Sequence, residues 1–312
     1  MDKYLVTGGA GFIGSNIVER LLNDGHKVRV VDNLSTGKFE NIREFINDIE
    51  FICGDISDYK TAQKAVTGVD YIMHHAALPS VVLSIEDPVS VNESIVTATL
   101  NLFKASVESK TVKRIVQAVS AAAYGNSSGV PNKEDMLPDP ISPYAVAKLT
   151  QEYYGKAFFN VYGLEVFSLR YFNVFGPKQD PKSFYSGVIS IFTSQMLNGI
   201  QPVIFGDGLT TRDFVYIDNI VEANLLACKC KWPGKPEIIN IGCGESITLK
   251  ELVEMLNKIL GTSFSVKYEK ERIGDVRFSA ADISNAGKIL GYMPKVKVYE
   301  GLQNLVQWMK KQ

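Results

Sequence analysis

The stretch Thr7-Gly8-Gly9-Ala10-Gly11-Phe12-Ile13-Gly14 constrains this chain most, because it follows a strand-like run, Tyr4-Leu5-Val6, and opens a helical one, Ser15–Asn23. Gly8 permits the tight turn, Gly11 lets backbone approach a pyrophosphate, Gly14 lets helix pack on strand, and the helix N-terminus favours the anion. Eighteen residues after Gly14, at the end of the next apolar run, stands Asp32. Its carboxylate is placed to accept from ribose hydroxyls and disfavours a 2′-phosphate, so the site predicted is one for NAD rather than NADP. Phe12 and Ile13 belong to the same loop, Asn33, Ser35, Thr36 and Gly37 cap the adenosine end, and Asp55 and Ile56 bracket the adenine. The plainer alternatives are a glycine-rich turn beside a surface Asp and, for Asp55, an ordinary turn residue.

Through residue 120 short β-rich runs alternate with helical periodicity, which is the signature of βαβ units around a parallel sheet. The fold expected is α/β: a Rossmann, doubly wound parallel sheet over residues 1–176, with a return near 212–243, and a smaller α/β substrate-binding domain mainly over 177–312. Within the return, Asp218–Cys230 reads as helix and Ile238–Ile241 as strand. Lys+Arg 33 against Asp+Glu 34 leaves no basic field for nucleic acid or anionic lipid. Three His and four Cys without paired CxxC spacing argue against a zinc site, so no metal is expected. No run of about 18 apolar residues offers a membrane span. With no charged and apolar leader before Tyr4 and no disulfide pattern, the expectation is a cytoplasmic protein.

Tyr144 and Lys148 in Ser142-Pro143-Tyr144-Ala145-Val146-Ala147-Lys148 stand four apart, on one face of one helix. A phenol with a pKa near 10 is a poor base at pH 7, but a nearby ammonium and a cationic nicotinamide both favour phenolate. Such a pair arises by chance in many helices. Ser120 raises its weight, because it ends the strand Arg114–Val119, where ligands of open α/β sheets bind. A hydroxyl there can share a hydrogen bond with both the phenol and a substrate hydroxyl. No His lies near a Ser or Cys nucleophile pattern, so hydride chemistry with a tyrosine base fits better than hydrolysis.

At this point the chain resembles the extended short-chain dehydrogenase/reductase family, and within it the nucleotide-sugar 4-epimerases. TGGAGFIG, DNLSTG, GDI, HHAA, SPYAVAK, RYFNVFGP, GDG-TRDFVYIDN and RIGDVR occur in family order along nearly the whole chain. The resemblance implies oxidation of the sugar's 4-hydroxyl, with Tyr144 as base and NAD as hydride acceptor, then return of hydride to the opposite face of a 4-keto intermediate. It also implies cofactor contacts from His75, Ala76, Ala77, Ser94, Tyr171 and Phe172, and a homodimer through helices near 95–108 and 145–161. Dehydratases and decarboxylases of the family resemble one another in carrying an acid just after the catalytic hydroxyl; this chain has Ala121 and Ala122 there. The acid–base step beyond epimerisation lacks its acid.

For the nucleotide, the resemblance assigns Asn173 and Arg212 to the diphosphate, Arg272 and Asp275 to phosphate and ribose, and Val188, Ile189, Ile204 and Phe205 to the flanks of a uracil. Ser279 falls where epimerases confined to plain hexoses resemble one another in bearing Tyr, and a small residue leaves volume for a 2-acetamido group. Ser80 and Ser84 are further candidates to line that pocket, or else loop caps. The substrate expected is a UDP-sugar, with UDP-GlcNAc and UDP-GalNAc interconverted. The alternatives are a plain UDP-glucose 4-epimerase, another NAD-dependent nucleotide-sugar modifier, and a catalytically silent NAD- or UDP-sugar-binding regulator.

Overall fold

The computed structural model describes residues 2–126, 129–181, 187–270 and 277–312. In chain order the elements are β1 (Lys3–Thr7), α1 (Phe12–Asn23), β2 (Lys27–Asp32), β3 (Ile49–Cys53), α2 (Tyr59–Val66), β4 (Tyr71–His74), α3 (Val81–Glu86), α4 (Pro88–Asn92), α5 (Ala98–Ser109) and β5 (Arg114–Ser120). There follow α6 (Pro143–Tyr162), β6 (Glu165–Tyr171), β7 (Asn173–Phe175), α7 (Val188–Leu197), β8 (Val203–Phe205), β9 (Thr211–Arg212), β10 (Phe214–Tyr216) and α8 (Ile217–Lys229). The last are β11 (Glu237–Ile241), β12 (Ile247–Thr248), α9 (Leu249–Leu260), β13 (Lys267–Glu269) and α10 (Val298–Met309).

Seven strands form one sheet in the order β11-β6-β5-β4-β1-β2-β3, with every neighbouring pair parallel. The chain winds outward from β1 in both directions, so the switch point lies between β1 and β4, where open α/β sheets bind ligands. β11 comes from the segment read as returning to the sheet, and it pairs with β6 from Glu237 opposite Phe167 to Ile241 opposite Tyr171. Two apolar layers cover the two faces. One joins Val6, Ile17, Leu21 and Phe167 to Ile220 and Leu225 of α8; the other joins Leu5, Ile72 and Ile115 to Ala62 of α2, Leu102 of α5 and Phe158 of α6. Three short two-stranded ribbons, β7 with β10, β9 with β12 and β8 with β13, lie outside the main sheet.

The helix that carries the predicted tyrosine and lysine is well specified locally. The Ser142 side chain caps it by accepting from the Ala145 N–H, Pro143 sits in its first turn, and Gly163 ends it in the left-handed conformation at φ 72°. Gly155 lets this helix lie close on the sheet, since a Cβ there would stand 3.0 Å from Val166 Cγ1.

Candidate active site

A cleft of about 910 Å³ runs across the carboxyl ends of the strands. Its walls include Gly8, Gly11, Phe12, Ile13, Gly14, Asp32, Asn33, Ser35, Thr36, Gly37, Asp55 and Ile56 at one end and His75, Ala76, Ala77, Ser94, Ser120, Tyr144, Lys148, Tyr171, Phe172 and Asn173 further along. The structure thus brings the expected dinucleotide residues and the Ser, Tyr and Lys to one cleft.

The glycine loop passes a test of fit for a dinucleotide. Gly8 has φ +68°, and a Cβ on it would meet the Ala76 backbone nitrogen at 2.8 Å. A Cβ on Gly14 would meet the Gly8 carbonyl oxygen at 2.2 Å, so no side chain fits between helix and loop. Asp32 holds the loop from below: its Oδ2 accepts from the Ala10 N–H at 2.9 Å and its Oδ1 from the Leu34 N–H at 2.8 Å. Burial pushes its carboxyl upward and these two backbone donors pull it back, with burial prevailing. Each carboxylate oxygen still has a lone pair to offer a ribose hydroxyl. Asn33 Nδ2 donates to Asp55 Oδ2 at 2.7 Å, joining the two residues expected around the adenosine. Burial raises Asp55, but hydrogen bonds from Ser57 and Asn33 outweigh it and leave the carboxyl below its ordinary value.

At the other end, Lys148 is buried and its Nζ donates to the Ala118 carbonyl at 2.8 Å; burial lowers its pKa to about 7. Tyr144 lies one helical turn before it. Burial raises the phenol above its ordinary 10, and the neighbouring Ser120 hydroxyl opposes that rise without cancelling it. Lys148 Nζ is anchored on the Ala118 carbonyl, and with a pKa of about 7 the side chain carries its charge on about half of the molecules at pH 7. His75 is held neutral, its pKa lowered to about 4 chiefly by burial, with Nε2 3.0 Å from the Tyr171 hydroxyl, which also accepts from Asn224 Nδ2 at 2.7 Å. Ser94 Oγ accepts from the Leu78 N–H at 3.2 Å and so fixes the loop after β4.

Several expected substrate residues fall elsewhere. Ser80 caps α3, accepting from the Leu83 N–H at 2.9 Å, and Ser84 donates to the Val81 carbonyl at 2.6 Å. Both are buried in α3 and its cap, outside the residues that line the cleft. Ile189 and Ile204 are packed in the main core, which leaves Val188 and Phe205, both half-buried, as the residues of those elements with side-chain surface to offer a ring. Arg212 is half-buried on β9, and its Nη1 donates to the Thr211 carbonyl at 2.9 Å. Ser279 is half-buried. Arg272 and Asp275 lie outside the described residues. Asn173 borders the cleft and its Nδ2 donates to the Asp213 carbonyl at 3.1 Å.

Sequence reasoning passed over Lys38, Ser90, Glu93 and Lys178, all of which line the cleft. Lys38 Nζ reaches Asp180 Oδ2 at 2.5 Å and Lys178 Nζ reaches Glu19 Oε2 at 2.7 Å, tying the segment after β7 to the cofactor half. The position of Lys38 directly after Gly37 was the only local signal. Among the described residues no group of His, Cys, Asp or Glu is arranged to hold a metal, and no helix is long and apolar enough to cross a membrane.

The family model for the NAD dependent epimerase/dehydratase family matches residues 4–242. The chain belongs to that family. NAD is accordingly its cofactor. A putative UDP-glucose 4-epimerase of Methanocaldococcus jannaschii is 39% identical over 98% of this chain and 98% of its own. The UDP-glucose 4-epimerase of Thermotoga maritima, solved with UDP-glucose, superposes with a TM-score of 0.94 at 40% identity, over 99% of each chain. The UDP-N-acetylglucosamine 4-epimerase of Methanobrevibacter ruminantium M1, solved with UDP-N-acetylmuramic acid, does so with a TM-score of 0.94 at 40% identity, over 100% of this chain and 99% of that one.

Proposed function

We propose that this family member is a UDP-sugar 4-epimerase whose preferred reaction interconverts UDP-GlcNAc and UDP-GalNAc. The observation that carries the epimerase reading is the meeting of Ser120, Tyr144 and Lys148 in one cleft, with alanine at both positions after Ser120. Bound NAD supplies a reversible hydride acceptor for carbon 4 of the sugar. Tyr144 takes the proton of the 4-hydroxyl and later returns it, and Ser120 bridges that hydroxyl and the phenol. Lys148, anchored to Ala118, is within the same pocket to donate to a ribose hydroxyl. Burial keeps Tyr144 protonated at neutral pH, and the positive charges of Lys148 and of the oxidised nicotinamide favour its ionisation.

Without an acid at 121 or 122, nothing on that turn draws a proton from carbon 5 of a keto-sugar, so return of hydride is the outcome left. The small Ser279 supports an acetamido substrate. The relatives named as UDP-glucose 4-epimerases support a second reading, in which plain UDP-glucose is the main substrate. The purified protein, incubated with UDP-GlcNAc and no added NAD, is expected to form UDP-GalNAc detectable by sugar analysis, with UDP-glucose run in parallel. Turnover of UDP-glucose alone would replace the first reading by the second; turnover of neither would remove both.

A further inference from the structure

Helix α6 carries a third member of the row begun by Tyr144 and Lys148: Glu152, again four residues on. Its carboxylate is held on both oxygens by Arg170 of β6, Nε to Oε1 at 2.8 Å and Nη2 to Oε2 at 2.7 Å. Both side chains are only 1% exposed. The same guanidinium lies 4.7 Å from the ring centroid of Tyr124, and that phenol donates to Asn240 Oδ1 at 2.7 Å. Tyr124 ends the single helical turn, Ala121–Tyr124, that starts directly after Ser120. Strand register completes the arrangement: Arg170 stands beside Val119, the residue before Ser120, on one side and beside Asn240 on the other.

One cation therefore touches both the helix that bears Tyr144 and the turn that fixes Ser120. A buried ion pair is a weak source of stability, since the cost of desolvating two charges roughly cancels their attraction. A bidentate fork is, however, directional in a way that an apolar contact is not. We propose that Arg170 is a positioning residue that sets the separation of the Ser120 and Tyr144 hydroxyls through Glu152 on one side and Tyr124 on the other. The proposal rests on the reading of those two hydroxyls as the reacting pair.

Two variants test it, Arg170→Lys, which keeps the charge but not the fork, and the double variant Glu152→Met/Arg170→Met, which replaces the pair by apolar bulk. Each is assayed as the NAD-loaded protein on UDP-GlcNAc and UDP-glucose, and each is crystallised. The expected result is NAD content and melting temperature near parental, KM within about twofold, kcat lower by about 10- to 100-fold, and a changed Ser120 to Tyr144 separation, because small misplacements of reacting groups cost that much. Parental kcat in either folded variant, or a lowered kcat with the separation unchanged, overturns the proposal. If the double variant does not fold, Arg170→Lys decides alone. If the parent turns over neither sugar, the proposed function fails, and the crystallographic separation still decides whether Arg170 sets it.

Discussion

Replacing Lys148 by methionine should make the protein more stable while impairing its chemistry, and the size of the gain should depend on pH. The ammonium is buried and its pKa is lowered to about 7 from an ordinary 10.5. The unfolded chain therefore holds this proton up to pH 10.5, whereas the folded chain gives it up near 7. Between those values the unfolded state binds more protons, so stability rises with pH, by at most about 1.4 kcal/mol per pH unit. Below pH 7 the full cost of keeping the charge buried is present, about 5 kcal/mol from the gap between the two pKa values. At pH 9 it has shrunk to about 2 kcal/mol. Methionine matches the length of the stem, carries no charge, and leaves the Ala118 carbonyl inside the ladder of β5 with β6. Guanidinium unfolding of the parent and of Lys148→Met, at pH 6, 7.5 and 9 and without added NAD, gives the difference directly. The variant is expected to lead by several kcal/mol at pH 6, and the lead should narrow by about half or more at pH 9. A lead independent of pH would falsify the assignment of a depressed, titrating lysine at this site.

Tyr144→Phe should retain NAD and nucleotide, measured by cofactor content and UDP affinity, yet lose about 10²–10⁴ in turnover, the range for a general base; near-normal kcat would refute its role. Ser279→Tyr should lower kcat/KM for UDP-GlcNAc relative to UDP-glucose by about tenfold or more, as expected where added bulk meets an acetamido group; an unchanged ratio removes the steric argument. The outer face of α6 exposes Val146 and Tyr153 at 50% and 59%, beside Ile85 and Val89 of α3 and α4 at 67% and 73%, an apolar surface that we propose is covered in a homodimer. Val146→Glu combined with Tyr153→Glu should then shift the sedimenting species from dimer to monomer, and a parent that sediments as a monomer contradicts the proposal.

The parts of this protein readable without a structure are those in which neighbours along the chain make the feature. The glycine loop and the spacing of Tyr144 and Lys148 are set within one or two turns, where covalent geometry places the groups. Asp32 could be located because a strand and a helix of ordinary length return the chain to the loop. Hydroxyls already show the limit of such reading: Ser80 and Ser84 have the chemistry to line a pocket, and the structure buries both and joins each to the first turn of α3. Ile189 and Ile204 have the apolar character that a uracil contact needs, and the same character puts them in the core. The tertiary structure alone decided that Lys148 meets Ala118, that Lys38 reaches across to Asp180, and that Arg170 gathers Glu152, Tyr124 and the register of three strands. Each of these depends on burial and on the meeting of segments far apart in the chain. A one-dimensional pattern carries no measure of desolvation, and desolvation is what sets the charges and pKa values on which the chemistry depends.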